Sequence, residues 1–207
     1  MTDINLLRDS YNHAYQRKGP LFGLRPDPAL VALVREKELS GVALDIGAGD
    51  GRHATLLARH GFFVEAIDLS EAGTERLRQL ARRAHLSINA RVADITSPEG
   101  IAGSYDLIVA DTLLGHFPLT EAAQIGEHIV KALAPGGWLF VTVLAKDDPR
   151  ESEFAALSKT YFSAEELVEL FPGLLVERCE ELSTTDRTHG PPHRHRLLRL
   201  IAHKEDS

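Results

Sequence analysis

The chain has 207 residues, 43% of them hydrophobic and 26% charged, with a formal net charge of −7. At about 100–200 residues per domain, this is enough for one domain with a real core. The composition excludes disordered and collagen-like classes. The longest apolar run, residues 138–145, is far short of the ~20 residues that span a bilayer, so no membrane partner is expected. The acidic balance argues against general nucleic-acid binding.

The N-terminal stretch MTDINLLRDS shows no signal peptide, and Cys179 is the only cysteine, so a cytoplasmic setting is expected. Arg76, Arg78, Arg82, Arg83 and Arg91 read as the solvated face of one helix.

In chain order, residues 1–26 form a lid-like leader with one helix over 4–15, broken by Gly19, Pro20, Gly23 and Pro26. Asp27-Pro28 starts a second helix, running to about residue 39. An apolar run over 42–46 predicts a buried strand, followed by a helix over 51–60 that Gly61 closes. Next come a strand over 63–67, a helix over 70–84, and strands over 87–92 and 106–110. Thr120 is taken as the N-cap of a helix to about 133, ended by Pro135-Gly136-Gly137, with a fifth strand over 138–144.

Ser163 and Glu166 form a capping box ahead of a helix to Phe171. Runs over 174–182 and 194–202 read as two more strands. Cys179, in the sixth strand, is expected to be buried and inert. Strands alternating with helices predict an α/β fold, doubly wound around a mostly parallel sheet. The last two strands have no crossover between them and therefore form an antiparallel C-terminal hairpin.

The segment VALDIGAGDGRH (42–53) carries the chemistry. Glycines between a strand and a helix let a ligand approach the backbone, and the helix start offers free N–H groups. The spacing is G-x-G-x-G, not the G-x-G-x-x-G of dinucleotide sites. Asp45, Asp68 and Asp94 end three successive strands. Asp68 lies about 20 residues past Gly47, where an acid bonds ribose hydroxyls. The extra acids Asp45 and Asp94 would repel a pyrophosphate but suit a ligand carrying sulfonium and ammonium charges.

Here the chain resembles a known family. LDIGAGDG (44–51) is similar to motif I of the class I S-adenosylmethionine-dependent methyltransferases. FVEAIDLS, VADI, YDLIVADTLLGHF and LAPGGWLFV resemble its later motifs in the right order over residues 40–145. GDGRHATLLARHGFFVEAIDLS and HRLLRLIAHK resemble the small tellurite-resistance-type enzymes.

The resemblance implies a Rossmann-like fold of seven strands in the order 3-2-1-4-5-7-6 and S-adenosyl-L-methionine as cofactor. It divides the chain into the leader, a cofactor-binding core over 40–145, and a C-terminal helix and hairpin over 146–207. It implies that Asp45 and Gly47 hold the methionine end and that Gly49 lies under the ribose. It further implies that Asp68, with Leu69 beside it, takes the ribose hydroxyls and that Asp94 and Ile95 take the adenine. Asp111 would line the methyl-transfer site. Two departures stand out: nothing like N-P-P-Y follows the fourth strand, and Asp186-Arg187 replaces a His-Arg pair.

Methyl transfer needs alignment and exclusion of water, and a base only where the acceptor is protonated. His116 is the candidate base. Tyr15, Arg52, Arg187, His189 and His193 are candidate substrate contacts, with packing roles as the alternative. No metal is expected, because nothing in the spacing of the C-terminal histidines shows ligands converging. The expected activity is methyl transfer to a small molecule, a thiol, oxyanion or similar. The alternatives are a non-catalytic cofactor-binding module and an NAD(P)-dependent oxidoreductase. The oligomeric state is not legible.

Overall fold

Strand β1 (Val42–Ile46) sends Leu44 and Ile46 to one face of a sheet and Ala43 and Asp45 to the other. Strand β4 (Tyr105–Asp111) divides the same way, with Ile108 and Ala110 opposite Leu107 and Val109. Helices cover both faces, which is why these strands read as continuous apolar runs. Helices α1 (Ile4–Ala14), α2 (Pro28–Glu36), α3 (Arg52–Arg59), α4 (Glu71–Ala84), α5 (Leu119–Ala132) and α6 (Ala164–Glu169) alternate with the strands along much of the chain. Leu30, Leu33, Leu57 and Leu77 of α2, α3 and α4 pack on one face, and Ile125, Ile129 and Leu167 of α5 and α6 on the other.

A computed structural model describes residues 2–206. The remaining strands are β2 (Phe63–Asp68), β3 (Ile88–Val92), β5 (Leu133–Leu144), β6 (Leu175–Asp186) and β7 (His193–His203). The seven form one sheet in the order β3-β2-β1-β4-β5-β7-β6. Strands β1 to β5 pair in parallel, and β7 runs antiparallel to β5 and β6. The strand order reverses between β1 and β4, and their carboxyl ends open a crevice there. No described helix is long and apolar enough to cross a membrane.

The structure corrects several local readings. Helix α2 stops at Glu36, because Glu38 adopts φ 50° and Leu39 N–H turns back onto Val34 O at 3.0 Å. Thr120 lies inside α5; the N-cap is Pro118, whose extended backbone starts the helix without a side-chain cap. Strand β5 begins at Leu133, so Pro135 and the two glycines lie within it, at a register shift opposite Tyr105/Leu107. A bulge tolerates Pro135, which has no N–H to donate.

The C-terminal hairpin is longer than expected and stays paired out to Asp186↔His193. Cys179 is only half-buried. Arg76 is not simply solvated: its guanidinium donates to the carbonyls of Tyr15 at 3.0 Å and Arg17 at 3.2 Å, and also to Gly19 O, pinning the leader to α4. The capping box is present, with Ser163 N–H to Glu166 at 2.9 Å and the reciprocal bond at 3.3 Å.

Candidate active site

Beyond β1 the chain turns through Gly47 (φ 72°), Gly49 (φ 54°) and Gly51 (φ 98°) into α3. All three are left-handed, which only glycine adopts without penalty. A Cβ at position 47 would come within 3.1 Å of Leu113, and one at position 49 would strike the Tyr15 hydroxyl. Tyr15 of the leader segment thus packs directly over the glycine cradle. Ser70 Oγ, bonded to Asn12 at 2.7 Å, fastens α1 to the start of α4.

Asp68 organises the cradle. One carboxylate oxygen accepts Gly49 N–H at 2.8 Å and the other accepts Ser70 N–H at 2.7 Å. Each oxygen keeps a lone pair for a ligand hydroxyl. Asp45, beneath the loop, accepts Ala54 N–H at 2.8 Å. Burial pushes its carboxyl up to about 7, against that hydrogen bond. Burial likewise raises Asp68. Asp94 is held by Thr96 N–H at 2.9 Å and Thr96 Oγ1 at 2.7 Å, and Ile95 is buried beside it. Asp45, Gly47, Gly49, Asp68, Leu69, Asp94 and Ile95 all face one cavity of about 850 Å³.

At the end of β4, Asp111 accepts from Arg52 Nη2 and Thr142 Oγ1, with His53 Nδ1 3.8 Å away. Burial alone would raise the Asp111 carboxyl, but Arg52, His53 and Thr142 outweigh it and hold the group below its ordinary value. His53 is buried, which lowers its basicity, and accepts Asp27 N–H at 3.4 Å.

Farther along the cavity, Tyr11 Oη lies 2.9 Å from His116 Nε2, and His116 Nδ1 lies 3.3 Å from Leu157 O. A carbonyl only accepts, so Nδ1 carries the proton and Nε2 receives the phenol's hydrogen. Burial lowers His116 to about 4, which matches that neutral tautomer. Burial and the Asp68 charge push the Tyr11 phenol well above its ordinary value. Aromatic rings wall this end: Tyr11 stacks on Phe154 at 5.4 Å, and Phe22 lies 5.7 Å from Phe154.

Tyr15, Arg52, Arg187 and His189 also line the cavity. His193 does not; its ring sits behind that of His189 at 4.8 Å. Asp186, His189 and His193 each offer a ligand atom within 4.8 Å of the others, a convergence that the sequence spacing did not show. The sequence reading also missed Asp27, His53 and Phe154, because no local pattern marks a residue that only tertiary packing brings to the cavity.

A sequence model of the family described as "Methyltransferase domain" matches residues 43–137, the segment that carries the cradle and β4. A ubiquinone biosynthesis O-methyltransferase of Coxiella burnetii is 29% identical over 169 residues, covering 81% of this chain and 68% of the relative. Together these similarities support a class I S-adenosylmethionine-dependent methyltransferase.

Two solved structures share the fold. Magnesium protoporphyrin IX methyltransferase (ChlM) from Synechocystis PCC 6803 with bound SAH has a TM-score of 0.76 at 19% identity, over 98% of this chain and 100% of that one. TehB from Haemophilus influenzae has a TM-score of 0.74 at 19% identity, over 96% of this chain and 67% of that one.

As a methyltransferase of this class, the enzyme uses S-adenosylmethionine as cofactor, and its residues fit that molecule. The cradle leaves no room for a Cβ at Gly49 and only a tight fit against Leu113 at Gly47. Asp68 offers two acceptor oxygens. The acidic loop suits a cationic ligand, and the cavity is large enough for a cofactor and a small acceptor together.

Proposed function

We propose that this methyltransferase acts on a small, flat, largely apolar acceptor with a nucleophilic oxygen or a similar atom. The observation that carries this reading is the aromatic chamber of Tyr11, Phe22 and Phe154, closed at one end by the Tyr11–His116 hydrogen bond. Aromatic walls take planar apolar bodies by stacking, and the single polar end orients the reacting atom. The similarity to a ubiquinone biosynthesis O-methyltransferase supports oxygen as the acceptor atom.

Asp68 and Leu69 take the ribose, Asp94 and Ile95 the adenine, and Asp45, Gly47 and Gly49 the methionine side. Arg52, balanced by Asp111, takes the cofactor carboxylate. When bound there, S-adenosylmethionine would supply the methyl group for the acceptor. Tyr15 and the leader exclude water from that step. His116 accepts the acceptor's hydrogen through Nε2, directly or through Tyr11. A base of such low pKa favours acceptors whose own hydroxyl or thiol is acidic. Arg187, on the cavity wall, is suited to the resulting anion. Asp111, held as a carboxylate by Arg52, positions that arginine and leaves the proton to His116.

The test is turnover of methyl-labelled S-adenosylmethionine against matched acidic phenols, thiols, inorganic oxyanions and amines. Label transfer to the phenols, lost in Tyr11→Phe, is expected. Transfer confined to amines or to inorganic oxyanions would overturn the proposed acceptor class.

A further inference from the structure

The tip of the β6–β7 hairpin gathers three groups with metal-ligand chemistry at one side of the cavity. Asp186 is the last residue of β6 and His193 the first of β7, and they face each other in the ladder. His189 stands in the turn between them, buried to 6% exposure, as is His193.

The hydrogen bonds around these side chains leave one ligand atom on each. The Asp186 Oδ1 oxygen is occupied by Thr188 N–H at 2.6 Å and Thr188 Oγ1 at 2.7 Å, while Oδ2 points to His189 Nε2 at 3.5 Å. His193 Nδ1 lies 2.8 Å from the carbonyl of Pro191 and so carries the ring proton. That leaves the lone pair on His193 Nε2, an atom buried with no hydrogen-bond partner. On the far side of His189, Nδ1 is 3.3 Å from Glu153 Oε1, and Glu153 is gripped by both terminal nitrogens of Arg17 at 2.6 and 2.9 Å.

From this geometry we infer a binding site for a divalent transition metal ion of the zinc type, with Asp186 Oδ2, His189 Nε2 and His193 Nε2 as ligands. Two imidazoles and one carboxylate are a donor set for zinc and its neighbours, not for magnesium or calcium. The surroundings are those that metal-binding histidines use elsewhere: His193 donates its other N–H to a carbonyl, and His189 turns its other nitrogen toward a carboxylate.

The 3.5 Å between Asp186 and His189 is already close to the ~3.3 Å edge of a tetrahedron with ~2.0–2.1 Å bonds. The three ligand atoms all lie within 4.8 Å of one another. Three protein ligands leave a coordination position open. Asp186 and His189 line the cavity, and His193 packs behind them. The His189 ring also packs on Phe22 at 5.1 Å and Phe154 at 5.0 Å. An anionic atom of a small molecule in the chamber is the fourth ligand this site would take. The metal site itself does not depend on the acceptor class proposed above.

The experiment is calorimetric titration of the untagged, chelator-treated full chain with Zn²⁺, and with Mg²⁺ in parallel. Binding of one Zn²⁺ per chain is expected, with a rise in Tm and no comparable response to Mg²⁺. Asp186→Asn and His193→Gln should each weaken Zn²⁺ binding at least tenfold, whereas His195→Gln, two residues along the same strand, should not. S-adenosylhomocysteine binding by each variant reports that it has folded. Absence of a stoichiometric Zn²⁺ site would overturn the inference. So would Zn²⁺ affinity unchanged in folded Asp186→Asn and His193→Gln, which would assign the binding to other histidines.

Discussion

The Tyr11 hydroxyl donates to His116 Nε2 at 2.9 Å, joining residues 105 positions apart in the chain. The bond links the leader helix to the turn after β4 and closes the chamber where an acceptor would react. Removing it separates a proton-transfer role from a packing role. Tyr11→Phe keeps the ring stacked on Phe154, and His116→Gln keeps a polar side chain. Each is expected to lower kcat by about a hundredfold, the scale of a lost general base, while calorimetry shows S-adenosylhomocysteine binding within about twofold of wild type. Equal losses of binding and kcat would mean that the pair only supports the fold.

His116 titrates at about 4 because burial disfavours its charged form. Its basic form therefore persists well into acid. With saturating cofactor, kcat/KM for an acceptor whose hydroxyl stays protonated across the range should stay flat from pH 8 to about 5. A limb near 6.5, the ordinary histidine value, would assign the base to another, more exposed group.

Asp45 gives the opposite dependence for the cofactor. Its carboxyl lies near 7 in the cofactor-free protein. A cationic ligand favours the charged form, so binding should release a proton and tighten as pH rises, by up to about tenfold between pH 6 and 8. Calorimetry in two buffers of different ionisation enthalpy measures that proton, and Asp45→Asn should abolish it. The sign for stability follows the same shift. The native state holds this proton more tightly than the unfolded chain, so the contribution is present below the ordinary value of 3.8 and is lost as pH rises through about 7.

Asp68 binds two backbone N–H groups and faces the cavity. Hydrogen bonds to a charged group are worth about 1.5–3 kcal/mol each. Asp68→Ala should therefore weaken S-adenosylhomocysteine binding by more than about a hundredfold. Binding within threefold of wild type would remove this residue from the cofactor site.

Arg76 holds three leader carbonyls from the surface of α4. Arg76→Gln should raise KM for both substrates and speed proteolysis of residues 1–26. Added S-adenosylhomocysteine should slow that cleavage if the leader closes over the cofactor. Cleavage indifferent to the ligand would show that the segment is not a lid.

The elements legible in the sequence are those that local patterns encode. Val42–Ile46 reads as a strand because glycines bound a short apolar run, and Ser163 with Glu166 announces α6 through the capping box. The cradle was legible for the same reason: Gly47, Gly49 and Gly51 are near neighbours directly after a strand, and each acid marks the end of its own strand. Boundaries went astray where pairing overrode local preference, as at Pro135-Gly136-Gly137, which the ladder with β4 draws into β5.

By itself, then, the sequence determined the α/β alternation, the glycine cradle and its cofactor class, because each rests on neighbours in the chain. Only the tertiary structure decided what faces that cofactor site. Arg52 meets Asp111 across 59 residues, and Tyr11 meets His116 across 105. Asp186, His189 and His193 converge because the antiparallel register brings the two strand ends together around the turn. Contacts of this kind depend on register and packing between distant segments, and no periodicity within a single segment records them.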